Sequence, residues 1–225
     1  MHWVNFPLLT VMIWSGLLIY WAYDPYRIGW GDWTLFEFFP EWFYESLDLE
    51  FSLARGMAYH FFFGWLFFFN GVAYVAYTAI SGEWRHLVPD RQDWRDAGKV
   101  VLHDLRIRKE APPQGKYNAA QKISYFGVIV MGAGAILTGL AIYKPTQLSW
   151  LTALFLGYQG ARTVHFVLTV LFVLFFVVHI AQVVRAGFAN FWSMVMGYER
   201  EDLAAAPTPA DGLEADPVTP SPEVP

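Results

Sequence analysis

Cysteine is absent from the 225 residues. That absence excludes disulfides, thiolate-bound iron–sulfur clusters and a CxxCH attachment, so any porphyrin here is held without a covalent bond. No segment repeats with a period of 20 to 50 residues, which sets aside solenoids and propellers. Charge is sparse at 16% of residues, and the net −5 matters less than where the charges fall. What is abundant is apolar: 56% hydrophobic and 19% aromatic, with 20 Phe, 11 Trp and 12 Tyr. Such a composition belongs to an integral membrane protein, not a soluble domain, and nothing in it points to nucleic acid.

Four stretches are long and apolar enough to span a bilayer: about 3–23, 56–80, 123–143 and 163–184. They predict an all-α integral membrane fold, a four-helix bundle. The first stretch also invites reading as a signal peptide, but it lacks a basic start and a small-residue cleavage site, and is read as a retained helix. Loop charges give the orientation. Residues 82–118 carry eight Lys and Arg, whereas 24–52 carry one, Arg27, against seven acids. The positive-inside rule places 82–118 and both termini in the cytoplasm. Residues 33–50 mix aromatics with acids and are expected along the outer interface, and 146–160, too short to span, is expected to cap the bundle outside. The division is then a four-helix transmembrane domain over 1–203 and an acidic, Pro-rich, disordered cytoplasmic tail over 204–225.

Six histidines remain to be placed. His165 and His179 lie 14 residues apart on one helix, so they share a face within roughly 40° and are separated by ~21 Å along it. With the predicted topology, His60 falls at the outer level with His165, and His2 at the inner level with His179. An imidazole in lipid is costly and marks a functional position. Two per level, on different helices, are what two bis-imidazole iron porphyrins require; the plainer reading is histidines hydrogen-bonded between helices. His86 and His103 read as solvated loop residues. Gly16 and Gly71 lie on the stripes of His2 and His60, where missing side chains would make room for a flat ligand, although helix packing also uses glycine. Tyr117, Asn118, Gln121 and Lys122 gather polar groups at the inner start of the third helix. They suit a quinone carbonyl, and Asn118 equally suits a helix N-cap.

The segments HWVNFPLLTVMIWSGLLIY (2–20), HFFFGWLFFFNGVAYVAY (60–77), GKYNAAQKISYFGVIVMGAGAILTGLAIYKP (115–145), GARTVHFVLTVLFVLFFVVH (160–179) and WSMVMG (192–197) together resemble one family. It is the four-helix di-haem cytochrome b subunits of formate dehydrogenase, nickel–iron hydrogenase and thiosulfate reductase, nearest in pattern to the thiosulfate-reductase-type, bacterial b561-like branch. The resemblance implies haem ligation by His2, His60, His165 and His179, with His60 paired to His165 and His2 to His179. It implies a quinone site at KYNAAQK, with Asn118 as the contacting amide and Tyr117, Gln121 and Lys122 beside it. Ala120 stands where the formate dehydrogenase version has Gly, and only Met1 precedes His2 where relatives carry more residues.

The expectation is a multi-pass protein of the bacterial inner membrane with two haem b groups. It would carry electrons between quinone and a periplasm-side molybdopterin, hydrogenase or iron–sulfur subunit, docked on the acidic loop 24–52. Arg55 and Arg162 flank the outer ligands and suit haem propionates or interfacial anchoring. The alternatives are a stand-alone b561-like oxidoreductase, for example between superoxide and quinone, and a non-redox membrane anchor.

Overall fold

The structure is a computed structural model that describes residues 2–23, 26–49, 51–104, 106–110 and 117–186. The expected tail and the WSMVMG segment lie outside these residues. In chain order the elements are α1 (His2–Tyr20), β1 (Arg27–Trp30), β2 (Trp33–Glu37), α2 (Glu41–Ser46), α3 (Leu53–Ser81), α4 (Trp84–Leu87), α5 (Arg91–Asp104), α6 (Ala119–Tyr143), α7 (Ser149–Leu154) and α8 (Tyr158–Ala186). The chain divides into two compact units, Met1–Phe172 and Val173–Pro225.

Four helices, α1, α3, α6 and α8, have the length and apolar composition to cross a membrane. They correspond to the four predicted spans, but α3, α6 and α8 begin three to five residues earlier than hydropathy places them. Those added turns are polar or amphipathic, such as Tyr158–Arg162 on α8, so a hydropathy window stops short of them. Their surfaces keep large apolar side chains exposed: Phe62 and Phe69 on α3 are 63% and 61% accessible. Outward Phe and Val suit a lipid solvent, in which only the backbone must be satisfied internally.

The first two spanning helices meet closely. A Cβ added at Gly56 would stand 2.8 Å from the Leu18 Cβ, so a side chain there would push α1 and α3 apart. Beyond α1, Tyr44 anchors α2. Its ring stacks on Phe51 at 5.1 Å, and its hydroxyl donates to the Leu17 carbonyl at 2.8 Å. Burial pushes the Tyr44 phenol up to about 12. Farther along, Ala141, Leu151 and Ala161 form a small buried cluster where α7 packs beside α6 and the start of α8. The Thr152 hydroxyl lies 3.1 Å from the Ala141 carbonyl there. Within 146–160, the segment too short to span, the short helix is α7, Ser149–Leu154.

Two features depart from an all-α chain of spans and plain loops. The segment expected to lie along an interface begins with an antiparallel hairpin, β1 against β2, with Trp30 opposite Trp33. Gly31 takes φ +59°, which a two-residue hairpin turn requires, and the Gly31–Asp32 pair was its sequence signal. The basic connection after α3 holds a 14-residue helix, α5. The Asp90 carboxylate caps it, accepting from the backbone N–H groups of Gln92 and Asp93 at 2.7 and 2.8 Å.

Candidate functional site

His60 from α3 and His165 from α8 face one another. Their ring centroids are 6.2 Å apart, and the ring planes cross at 70°. Each ring is held by a hydroxyl on the neighbouring helix: Ser15 Oγ of α1 lies 3.0 Å from His60 Nδ1, and Thr138 Oγ1 of α6 lies 2.9 Å from His165 Nδ1. Both hydroxyl residues are fully buried. A hydroxyl has one proton to give. Ser15 directs its proton to the Val11 carbonyl at 2.7 Å, and Thr138 directs its own to Gly134 at 2.7 Å. With that proton so directed, each oxygen accepts from its histidine, and the tautomer consistent with both contacts carries hydrogen on Nδ1 and leaves Nε2 for a ligand.

The two rings border an apolar cleft of about 230 Å³ whose lining includes Met12, Ile13, Gly64, Phe68, Ile136 and Phe172. Gly16 and Gly139 sit against the imidazole edges, where an added Cβ would lie 3.6 Å from His60 Cε1 and 3.5 Å from His165 Cε1. His60 and His165 are the residues that would hold a metal ion here, since each has one ring nitrogen not engaged by a hydroxyl. An apolar lining with two neutral imidazole donors is also the donor set that a porphyrin iron takes.

The other predicted residues fall as follows. The His179 ring stacks on Phe175 at 5.8 Å within the second unit, and His2 begins α1, its side chain lying outside the described residues. A Cβ at Gly71 would meet nothing within 4 Å. His86 is exposed in α4, and His103 is partly exposed, 3.9 Å from the Asp104 carboxylate. Arg55 lies over the Trp14 ring at 5.8 Å, and Arg162 lies over Tyr23 and Tyr26 at 4.1 and 5.2 Å. Asn118 is the N-cap of α6 in a reciprocal box. It accepts from the Gln121 backbone N–H at 2.8 Å, and its own N–H donates to Gln121 Oε1 at 3.1 Å. The Tyr117 ring meets Tyr125 edge-on at 5.3 Å. Lys122 pairs with both Asp93 oxygens, at 3.0 and 3.1 Å, tying α5 to α6. Sequence reasoning passed over Ser15, Thr138 and Asp93. For the hydroxyls the available signal was a repeated dipeptide, Ser15–Gly16 and Thr138–Gly139.

Four helices long and apolar enough to span, with two partly buried imidazoles bordering an apolar cleft, fit a membrane electron-transfer protein of the b-cytochrome class. Residues 1–197 match the family model described as prokaryotic cytochrome b561, and the chain belongs to that family. It is accordingly a multi-pass membrane protein, and the family implies b-type haem. A relative from Azospira oryzae, named putative protein-methionine-sulfoxide reductase subunit YedZ1, is 29% identical over 183 residues, covering 81% of this chain and 85% of its own length. No solved structure matches the chain.

Proposed function

We propose that the chain conducts electrons across the bacterial inner membrane from quinol, near the cytoplasmic face, to a redox subunit docked on the periplasmic side. Two b haems would be held by His60 with His165 and by His2 with His179, with both termini cytoplasmic. The observation that carries the reading is the pair of hydroxyl-anchored imidazoles, 6.2 Å apart between ring centroids, that border one apolar cleft. A b haem held there supplies one-electron chemistry. The protein positions the two Nε2 atoms, and its Phe and Met lining excludes water.

Several residues support the two ends. The box at Asn118 and Gln121 engages their oxygens, and the amide N–H groups are the donors a quinone carbonyl needs. Beside them, the Lys122–Asp93 pair offers titratable groups for protons from the cytoplasm. At the other end, Arg55 and Arg162 lie near the start of α3 and α8 and suit propionates. The hairpin and α2 expose Asp32, Glu37, Glu41, Glu45 and Asp48 against Arg27, a surface that favours a basic partner. The partner in this reading is the catalytic subunit of an oxidoreductase, molybdopterin or iron–sulfur in type, and the Azospira relative is itself named as a reductase subunit. A role in a reductase sets the flow outward from quinol.

The test is haem content and its dependence on the ligands. A pyridine haemochrome assay should give about two non-covalent b haems per chain. His60→Ala and His165→Ala should remove the same spectral component, and His179→Ala the other. Absence of haem, or loss of one common component in His60→Ala and His179→Ala, would overturn the assignment.

A further inference from the structure

We infer that Ser15 and Thr138 are positioning residues that lock the tautomer and ring orientation of His60 and His165, and so set the redox potential of the cofactor between them. The inference rests on the haem reading above. Its ground is a duplicated local geometry. On α1 and on α6 alike, a fully buried hydroxyl residue is followed directly by glycine, and the dipeptide lies along the Nδ1–Cε1 edge of an imidazole from a different helix. The hydroxyl contacts are 3.0 and 2.9 Å, and the glycine contacts to Cε1 are 3.6 and 3.5 Å. The two grips therefore agree to 0.1 Å in both measures.

Serine and threonine in apolar helices often bond back to a carbonyl one turn earlier, and that bond alone needs no histidine. Here the back-bond has a further effect. With the hydroxyl proton directed to the carbonyls one turn earlier, Val11 and Met12 for Ser15 and Gly134 and Ala135 for Thr138, each oxygen is free to accept from Nδ1–H beside the Met12 and Ala135 carbonyls, which also bond the rings. An acceptor on Nδ1–H makes Nε2 a more basic ligand and fixes the plane of the ring. A more basic ligand favours the oxidised metal, so each hydroxyl lowers the potential. Glycine at the next position is what allows the edge of the ring to lie this close to the helix.

The experiment is an optical redox titration of the full-length haem-loaded protein, with the His60/His165 component identified as the one lost in His60→Ala. In Ser15→Ala and in Thr138→Val, the ratio of reduced to oxidised haem in that component at fixed poise should rise about 10-fold, an upward shift of ~59 mV for a one-electron couple. Ser15→Thr and Thr138→Ser should titrate as wild type, and the other component should not move in any variant. If Ser15→Ala fails to load that haem, loading and potential should return in Ser15→Thr, and failure to return overturns the inference. Unmoved potentials in Ser15→Ala and Thr138→Val at full haem content overturn it as well. A wild type without haem would instead defeat the underlying haem reading, which separates the two failures.

Discussion

Gly139 shows how little space separates α6 from the site. An added methyl would make ordinary contact, 3.5 Å from His165 Cε1. Gly139→Ala should therefore keep the haem spectrum, while Gly139→Leu should displace the ring and lose the His60/His165 component, as read by difference spectra. The crossing of the two rings gives a second expectation. Imidazole planes at 70° are nearer perpendicular than parallel, so a ferric ion between them should show the strongly anisotropic low-spin EPR signal of crossed ligands. A rhombic signal typical of parallel rings, lost in His60→Ala, would contradict that geometry. At this scale the histidines were legible because an imidazole in an apolar run stands out against its background. Ser15 and Thr138 were not, because small hydroxyl residues are ordinary in packed helices and their role depends on which ring lies across from them.

Among the elements, α5 was the least legible. Its segment is basic and polar, so a search for spans passes it over although Trp94, Ala97, Val100 and Val101 recur at helical spacing, and its attachment to α6 leaves no hydropathy signal. The attachment is the Lys122–Asp93 pair. Burial raises the Asp93 carboxyl, but the Asp90 backbone N–H and the Lys122 ammonium outweigh it and hold the group below the ordinary carboxylate range. A depressed folded value means that the pair stabilises the docked helix above the ordinary carboxyl range, and that this contribution is lost as pH falls through the lowered value. The protection factor for hydrogen exchange over 91–104, with the intrinsic pH dependence divided out, should therefore stay flat from neutral pH down to about 4, the ordinary aspartate value, and fall below it. Lys122→Met should show the lowered protection already at neutral pH. The start of α6 allows its two readings to be separated, since aspartate caps a helix as well as asparagine but has no amide donor. Asn118→Asp should keep the fold and the wild-type haem content yet, on the proposed quinone site, slow reduction by a quinol analogue at least ~10-fold in stopped flow, ~1.4 kcal/mol in the barrier. An unchanged rate would leave Asn118 a cap only. The hairpin differs from α5 in that its Gly–Asp turn was readable, and the neighbouring run of aromatics drew attention to the interface instead.

For the molecule as a whole, the spans and the family were legible because bilayer thickness imposes a length that few other constraints imitate. The apolar cleft of the first unit was not, since a cavity is a property of four surfaces together. That cleft lies where the unit would otherwise place a core. Among the described residues the fully packed apolar cluster is small, Ala141 with Leu151 and Ala161, while Phe61, Phe67 and Phe68 from α3 and Ile136 and Leu140 from α6 line the cleft. A ligand that fills it completes the interior, so its binding energy becomes folding energy: saturation at 100 times the dissociation constant adds about 2.7 kcal/mol. Haem-loaded protein should accordingly unfold at a higher temperature than the same chain made under haem starvation, and His165→Ala should lower the loaded value toward the starved one. The expected consequence in the cell is that abundance follows haem supply: under haem starvation the level of the chain, read by immunoblot, should fall while its transcript stays constant.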